Sequence, residues 1–144
     1  MIPSMIGVLL GLVILAIIQS ARKGPPNIFD AAHKKNIVKF RKYMNDGKTD
    51  LNAGDYKGMT ALMYAIVSFN DSQLVREIID LGAQVNIADK MGNSALHYAV
   101  INNNSEIVKI LLNKGILKDH KNSEGKTAQD IAKANSFEVA DLLY

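Results

Sequence analysis

The sequence contains no cysteine among its 144 residues. Disulfide frameworks, thiolate zinc sites, iron–sulfur clusters and cysteine nucleophiles are therefore excluded together. Tryptophan is also absent and aromatic residues make up only 6% of the chain, which disfavours a nucleic-acid surface of stacking rings and interleaved arginines. The length leaves room for one compact domain, with or without a short targeting or anchoring segment, but not for two independent catalytic domains.

Charged side chains are absent from residues 1–21, and residues 5–18 form an apolar run interrupted only by Gly7 and Gly11. Twenty-one helical residues would reach about 31 Å, close to the roughly 30 Å hydrocarbon core of a bilayer. The run therefore predicts a single N-terminal hydrophobic helix that acts as a transmembrane anchor. Residues 22–26 are predicted to form a basic linker that contains prolines.

A cleaved secretory signal is the main alternative for this segment. Such signals normally carry lysine or arginine before the apolar run and small residues before the cleavage site. Here the basic side chains follow the run, and Gln19 occupies the third position before a cut after Ala21. A buried core helix fits less well, because the segment is apolar on every face and is followed at once by Arg22 and Lys23.

Positive charge is concentrated next to the apolar run. Residues 22–48 hold eight basic and two acidic side chains, for a charge of +6, whereas residues 49–144 carry −3. Basic residues near a membrane span tend to stay in the cytoplasm, so we expect the main domain to be cytoplasmic and the basic stretch to lie near anionic headgroups. The chain is then a single-pass membrane protein, or a periplasmic or secreted one if the segment is cleaved.

The remainder of the chain repeats itself. Gly58-Met59-Thr60-Ala61-Leu62 aligns with residues 92–96 at an offset of 34, and with residues 125–128 at a further offset of 33. Asp55, Asp89 and Asn122 share one register, as do Ala65, Ala99 and Ala132. Self-similarity at this period indicates tandem copies of one supersecondary unit.

Each unit predicts a helix hairpin followed by a turn. A glycine turn precedes a threonine or serine suited to capping a first helix. A second apolar segment, residues 72–81 or 105–113, begins with a hydroxyl that we expect to cap it and runs to Gly82 or close to Gly115, where a left-handed residue can end a helix.

These units resemble ankyrin repeats, whose pattern is D-x-x-G-x-T-P-L-H-x-A-A, a turn, I-V-x-x-L-L and G-A-x-x-N. The best match runs from Asp89 through His97-Tyr98-Ala99 to Gly115. The resemblance implies an all-α ankyrin-repeat solenoid over residues 27–144, with repeats at about 27–54, 55–88, 89–121 and 122–144. The outer two are degenerate caps, the second has one extra residue around 69–71, and alanine replaces the family's proline throughout.

The resemblance also implies where a protein partner binds. Ankyrin-repeat proteins usually hold partners on the turn tips and the exposed end of each first helix. The corresponding positions here are Tyr56, Lys57, Met59, Val67, Ser68, Lys90, Met91, Asn93, Ile101, Asn102, Ser123, Glu124 and Lys126. Residues beside the turn glycines should be exposed, so Tyr56, Met59 and Met91 are predicted as anchors, because tyrosine and methionine are enriched at interface cores.

Signals for chemistry are weak by comparison. Residues 125–127 read Gly-Lys-Thr, but a phosphate-binding loop needs glycine where His120 stands. His97 occupies the position where the family's histidine bonds to the backbone of the next repeat. No paired ligands accompany His33 or His120, and no nucleophile signature occurs, so we predict no metal, no cofactor and no enzymatic activity.

The sequence therefore favours a membrane-tethered, non-catalytic protein–protein interaction module. It indicates no nucleic-acid partner and no small-molecule substrate. The alternative is an exported ankyrin protein, periplasmic or extracellular, that serves as an accessory or immunity-type partner and binds and protects or inhibits an enzyme or toxin. Membrane topology distinguishes these two hypotheses.

Overall fold

The structure of the chain, a computed structural model, describes residues 27–144. The predicted anchor or signal, residues 1–21, and the linker, residues 22–26, lie outside the described residues. No helix within residues 27–144 combines the length and the apolar character that a bilayer span requires.

Residues 27–144 are helical, as predicted. The helices are α1 (Ile28–His33), α2 (Ile37–Met44), α3 (Ala61–Tyr64), α4 (Ser72–Asp80), α5 (Ala95–Ile101), α6 (Ser105–Asn113) and α7 (Ala128–Ala134). A π-helix, Ala65–Phe69, continues α3, and a 3₁₀-helix, Glu138–Leu143, takes the place of a second helix in the last repeat. In this part of the chain extended pairing is limited to one isolated antiparallel bridge between Ala88 and Ser94.

The first helices form one layer and the second helices another. In the inner layer α1 contacts α3, α3 contacts α5 and α5 contacts α7; in the outer layer α4 contacts α6, and α6 contacts the 3₁₀-helix. One apolar core runs between the layers through every repeat. Its large, fully buried side chains include Phe40, Leu62, Ile66, Leu74, Ile78, Leu96, Ile107 and Leu111. Each such side chain contributes about 1.5–3 kcal/mol to folding, so the stacked interfaces hold the array together.

Threonine caps the first helices of the second and fourth repeats, as the sequence predicts. Thr60 Oγ1 accepts a hydrogen bond from the backbone N–H of Met63 at 3.4 Å, and Thr127 Oγ1 accepts one from Asp130 N–H at 3.1 Å. These bonds satisfy amides that have no partner within the helix. The threonine cap therefore fixes the residue at which the turn ends and the first helix begins.

The second helices are capped one residue earlier than predicted. Asp71 accepts from the N–H groups of Gln73 and Leu74, at 2.9 and 3.1 Å, and Asn104 caps α6 by accepting from Ile107 N–H at 3.0 Å. Ser72 and Ser105 are the first helical residues and do not supply the cap. The prediction of hydroxyl caps here was wrong, because the preceding Asp and Asn are equally good caps and have the extended backbone that a cap needs.

The extra residue in the second repeat is absorbed by the π-helix. From the capping residue to the left-handed Asn that ends each first helix, the second repeat runs from Thr60 to Asn70 and the third from Ser94 to Asn103, one residue fewer. A π-helix closes its hydrogen bonds over one more residue than an α-helix does, so the insertion widens one turn. The second helix therefore keeps its place in the stack.

Candidate partner-binding surface

In each turn between repeats, one Asp or Asn side chain accepts hydrogen bonds from two backbone N–H groups of the same turn. Asp55 Oδ1 accepts hydrogen bonds from the backbone N–H groups of Lys57 and Met59, at 2.9 and 3.0 Å. Asp89 makes the same two bonds in the next turn, both at 2.8 Å, and Asn122 makes them in the last turn at 3.0 and 3.1 Å. This side-chain bonding explains why Asp or Asn recurs at this register.

Neighbouring turns are also bonded to each other. The N–H of Lys90 donates to the carbonyl of Lys57 at 2.9 Å, and Ser123 N–H donates to Met91 O at the same distance. Gly92 has a φ of +73°, and a Cβ there would lie 3.0 Å from Cα of Asn122 and from Ser123 N. Glycine is required by conformation and by this close approach. The turns form a rigid, continuous row.

Two tyrosines tie the turns to the inner helices. Tyr64 Oη donates to Asp55 Oδ2 at 2.7 Å, and Tyr98 Oη donates to Asp89 Oδ2. Because Tyr64 donates its hydroxyl proton to the Asp55 carboxylate, the imidazole N–H is the donor in the contact from His33 Nε2 to Tyr64 Oη, at 3.1 Å. The tyrosines were not among the predicted residues, although each stands nine residues after its turn aspartate.

Burial and hydrogen bonding act in opposite directions on the turn carboxylate. Burial alone raises the pKa of Asp55, but the hydrogen bonds from Tyr64, Met59 N–H and Lys57 N–H outweigh it and leave the pKa below its ordinary value. Burial and the bond to Asp55 both raise the pKa of Tyr64. Asp55 therefore stays ionised and Tyr64 stays protonated at neutral pH.

His97 bridges the third and fourth repeats, as the resemblance implied. Its Nδ1 accepts from Ser94 N–H at 3.1 Å, so Nε2 carries the proton and donates to Lys126 O at 3.1 Å. Burial lowers the pKa of His97, which keeps the ring neutral; the second repeat has the buried Met63 at this position. The His120 ring lies edge-on to it and donates from Nε2 to Gly92 O at 2.9 Å.

Apolar side chains are exposed along this row of turns. Tyr56 is 70% exposed and Met91 60%, and Val67 and Ile101 are exposed on the adjoining ends of the inner layer. Lys57, Lys90, Ser123, Glu124 and Lys126 are also exposed, and Lys126 pairs with Glu124 at 2.7 Å. We call the row of turns and these adjoining helix ends the turn surface.

Two cavities open on the turn surface. One, of about 460 Å³, lies between the turns of the second and third repeats and is lined by Tyr56, Lys57, Met59, Asp89, Lys90, Met91 and Tyr98. The other, of about 260 Å³, lies between the third and fourth repeats and is lined by residues that include Met91, Asn93, Ile101, Glu124, Lys126 and Ile131. Met91 therefore stands between two recesses large enough for partner side chains.

Met59 does not have the exposure that the sequence predicted. Its side chain is 8% exposed and belongs to the core cluster, so its prediction as an exposed anchor was wrong. The chain leaves the turn directly after Gly58, and the next side chain points toward the helices. Ser68, Asn93 and Asn102 are half-buried, and Asn102 Nδ2 donates to Ile66 O at 2.9 Å.

The described residues offer little to a metal ion. Within residues 27–144 no three His, Cys, Asp or Glu side chains come together in an arrangement that could hold one. His33 and His120 lie in different repeats and bond to Tyr64 and to the Gly92 carbonyl.

Comparison with known proteins identifies the family. The family model described as ankyrin repeats (3 copies) matches residues 67–144. The chain belongs to the ankyrin-repeat family. Ankyrin repeats are in general non-catalytic modules for protein–protein interaction, which suggests an interaction role for the described domain.

Similar proteins are much longer than this chain. It is 31% identical over 120 residues to the E3 ubiquitin-protein ligase hecd-1 of Caenorhabditis elegans, covering 81% of the chain and 4% of the ligase. It is 32% identical over 106 residues to protein fem-1 homolog C of Xenopus laevis, covering 71% of the chain and 17% of that protein. The putative ankyrin repeat protein L271 of Acanthamoeba polyphaga mimivirus is 32% identical over 120 residues, covering 81% and 16%. The chain thus spans less than a fifth of each relative.

Proposed function

We propose that this chain is a membrane-tethered ankyrin module that holds a protein partner on the turn surface. The observation that carries the proposal is the exposure of Tyr56 and Met91 at adjacent turn tips, beside two cavities. Large apolar side chains at the centre of a surface, next to recesses, are typical binding hot spots. Lysines flank these two anchors and supply a polar rim.

The rigidity of the turns favours tight binding. Each turn is bonded to its own Asp or Asn and to a neighbouring turn, and the Asp55 and Asp89 turns are also bonded to a tyrosine of the inner layer. A surface that is ordered before binding loses little conformational entropy when a partner arrives. Tyr56 and Met91 are therefore presented in nearly their bound positions.

The proposed tether is residues 1–21. Its support is the length and uniform apolar character of that run and the basic residues that follow it. A tether would confine the module to the bilayer and raise its effective concentration toward membrane-bound partners. The exported alternative differs from this proposal in topology, and protease protection in intact cells separates the two. Digestion of the ankyrin domain by external protease would favour export.

Affinity purification from native membranes tests the partner site. The double variant Tyr56→Ala/Met91→Ala should lose a partner that the wild-type chain retains, because truncating a hot-spot residue costs about 2 kcal/mol or more of binding free energy. Leu117→Ala is the matched control, since Leu117 is 61% exposed but lines neither cavity. Met59 is left intact because its truncation would open a core cavity. Equal recovery by the double variant and the control would refute the site.

A further inference from the structure

A second exposed surface lies on the first repeat, away from the turn surface. Lys35, Lys39 and Lys42 are all exposed, and Val38 among them is 76% exposed. We call these four residues the lysine face. It combines positive charge with one large apolar side chain in solvent.

The geometry of α2 brings these side chains together. At 100° per residue, Val38, Lys42 and Lys39 occupy one continuous arc of the helix, while Phe40 and Met44 occupy the buried arc. Lys35 precedes the capping Asn36 and is exposed at the N-terminal end of this helix.

Lys34 and Arg41 of the first repeat form ion pairs within the protein, whereas the side chains of the lysine face form none within residues 27–144. Lys34 pairs with Asp30 at 3.0 Å, and Arg41 donates to both carboxylate oxygens of Glu77 at 3.0 and 3.3 Å. Within residues 27–144, the ion pairs do not include Lys35, Lys39 or Lys42.

Within residues 27–144, the acidic side chains close in sequence to the lysine face form no ion pair with it. Asp46 accepts hydrogen bonds from the backbone N–H groups of Lys48 and Thr49, both at 2.8 Å. The sequence of residues 1–26 contains no Asp or Glu. The face therefore presents three lysine charges to whatever lies beside it.

We infer that the lysine face binds the anionic phospholipid headgroups of the membrane to which residues 1–21 tether the chain; this inference rests on the proposed function. The proposed tether ends at Ala21, fourteen residues before Lys35, which is at most about 50 Å of extended chain. The proposed tether would therefore keep the lysine face within this distance of the anionic surface of the bilayer. Each lysine brought near such a surface strengthens association about fivefold, and Val38 would enter the headgroup layer between the lysines.

Docking of this face would also orient the array. The lysine face lies on the first repeat, whereas the anchors Tyr56 and Met91 lie on the turns of the second and third repeats. A docked first repeat leaves the turn surface uncovered for its partner.

The absence of cysteine allows a direct test. The whole chain carrying Val38→Cys is labelled with the environment-sensitive dye NBD and reconstituted into phosphatidylcholine vesicles with or without phosphatidylserine. Leu117→Cys, labelled in the same way, is the matched control at an exposed apolar position of a distant repeat. We expect the NBD emission maximum at position 38 to shift to shorter wavelength only in the vesicles that contain phosphatidylserine. The emission maximum at position 117 should not shift in vesicles of either composition.

A charge-removing variant separates headgroup binding from a simple apolar contact. In Lys35→Asn/Lys39→Gln/Lys42→Gln the blue shift should be lost, and added salt should weaken the shift in the wild type by screening. All three positions are exposed, so the helical circular dichroism of the variant should be unchanged. Equal NBD emission from position 38 in neutral and anionic vesicles would overturn the inference. It would also be overturned if the charge-removing variant kept the blue shift, or if the shift appeared only when an acidic protein was added.

Flotation with neutral vesicles keeps this result apart from the proposed function. A chain that fails to float with phosphatidylcholine vesicles has lost the proposed tether. Emission from position 38 in anionic vesicles still reports on the lysine face in that case. A chain that floats but shows no shift keeps its tether and contradicts only the lysine face.

Discussion

Tyr64 Oη lies 2.7 Å from Asp55 Oδ2 and bonds the first helix of the second repeat to the turn that precedes it. The third repeat has the same relationship between Tyr98 and Asp89. In the fourth repeat the turn residue is Asn122, and the position nine residues later is Ile131. Tyrosine thus occurs where the turn carries a carboxylate, because a phenol stabilises a buried charge more than a neutral amide.

Removing one of these hydroxyls should weaken the array. Tyr98→Phe leaves Oδ2 of the buried Asp89 without its donor. We expect the free energy of unfolding to fall by about 1.5–3 kcal/mol, the usual worth of a hydrogen bond to a charged group. Urea denaturation measures it. Tyr43→Phe is the control, since the half-buried Tyr43 hydroxyl makes no hydrogen bond within residues 27–144; equal losses in both variants would contradict this role.

Two glycines with the same backbone conformation allow the cost of that conformation to be separated from the cost of a steric clash. Gly92 and Gly125 both have a φ of +73°, but a Cβ at Gly92 would meet the next turn at 3.0 Å, whereas one at Gly125 would meet nothing within 4 Å. Gly125→Ala should cost about 1–2 kcal/mol of unfolding free energy, from the left-handed backbone alone. Gly92→Ala should cost clearly more. Thermal unfolding followed by circular dichroism compares them, and equal costs would show that the turns separate easily.

Acid should weaken the contact between the third and fourth repeats. The pKa of His97 is lowered by burial, so below about pH 6.5 the unfolded chain binds a proton that the folded chain resists. The unfolded state then holds more protons, and the free energy of unfolding falls as the pH drops through this window. Urea titrations at pH 7.5 and 5.5 measure the loss.

His97→Met isolates the contribution of this histidine, because it copies the buried Met63 of the second repeat and retains His33 and His120. The variant should be less stable than the wild type at pH 7.5, since it lacks the bonds to Ser94 and Lys126. It should lose less stability on acidification. A loss as large as that of the wild type would assign the effect to other groups.

Lys35 has a left-handed backbone that suits another residue better. Its φ is +50°, and the equivalent positions in the later repeats are Asn70, Asn103 and Ser136. Lys35→Asn should raise the free energy of unfolding by a few tenths of a kcal/mol, because Asn tolerates this conformation. The control, Lys39→Asn, removes the same charge inside α2 and should lower it by a similar amount. The opposite order in a thermal melt would contradict this explanation.

Much of the fold could be predicted because the repeats share one register. The glycine turns and the threonine caps at Thr60 and Thr127 followed from matching positions, and the bridging role of His97 followed from the resemblance to ankyrin repeats. Exposure was harder to predict, because Met59 and Met91 stand beside turn glycines and have opposite burial. Met91 lies before its glycine, at the turn tip, and Met59 lies after its glycine, where the chain turns inward.

Other features could not be predicted from residue type alone. Asp71 and Ser72 are adjacent capping residues, and only the backbone conformation decides which one caps the helix. The extra residue near Phe69 was visible in the alignment, but a loop insertion and a π-helix have the same sequence length. The bonds from Tyr64 and Tyr98 required the turn and the helix to be placed in space.

Site-specific photo-cross-linking shows whether a protein partner contacts the turn surface. A benzophenone amino acid is placed at Met91, Ile101 or Leu117 of the tethered chain in intact cells, and cross-linked products are resolved by mass. We expect the same protein partner to be captured from Met91 and Ile101, which line one cavity, and not from Leu117. Capture from Leu117 with none from Met91 and Ile101 would contradict the account.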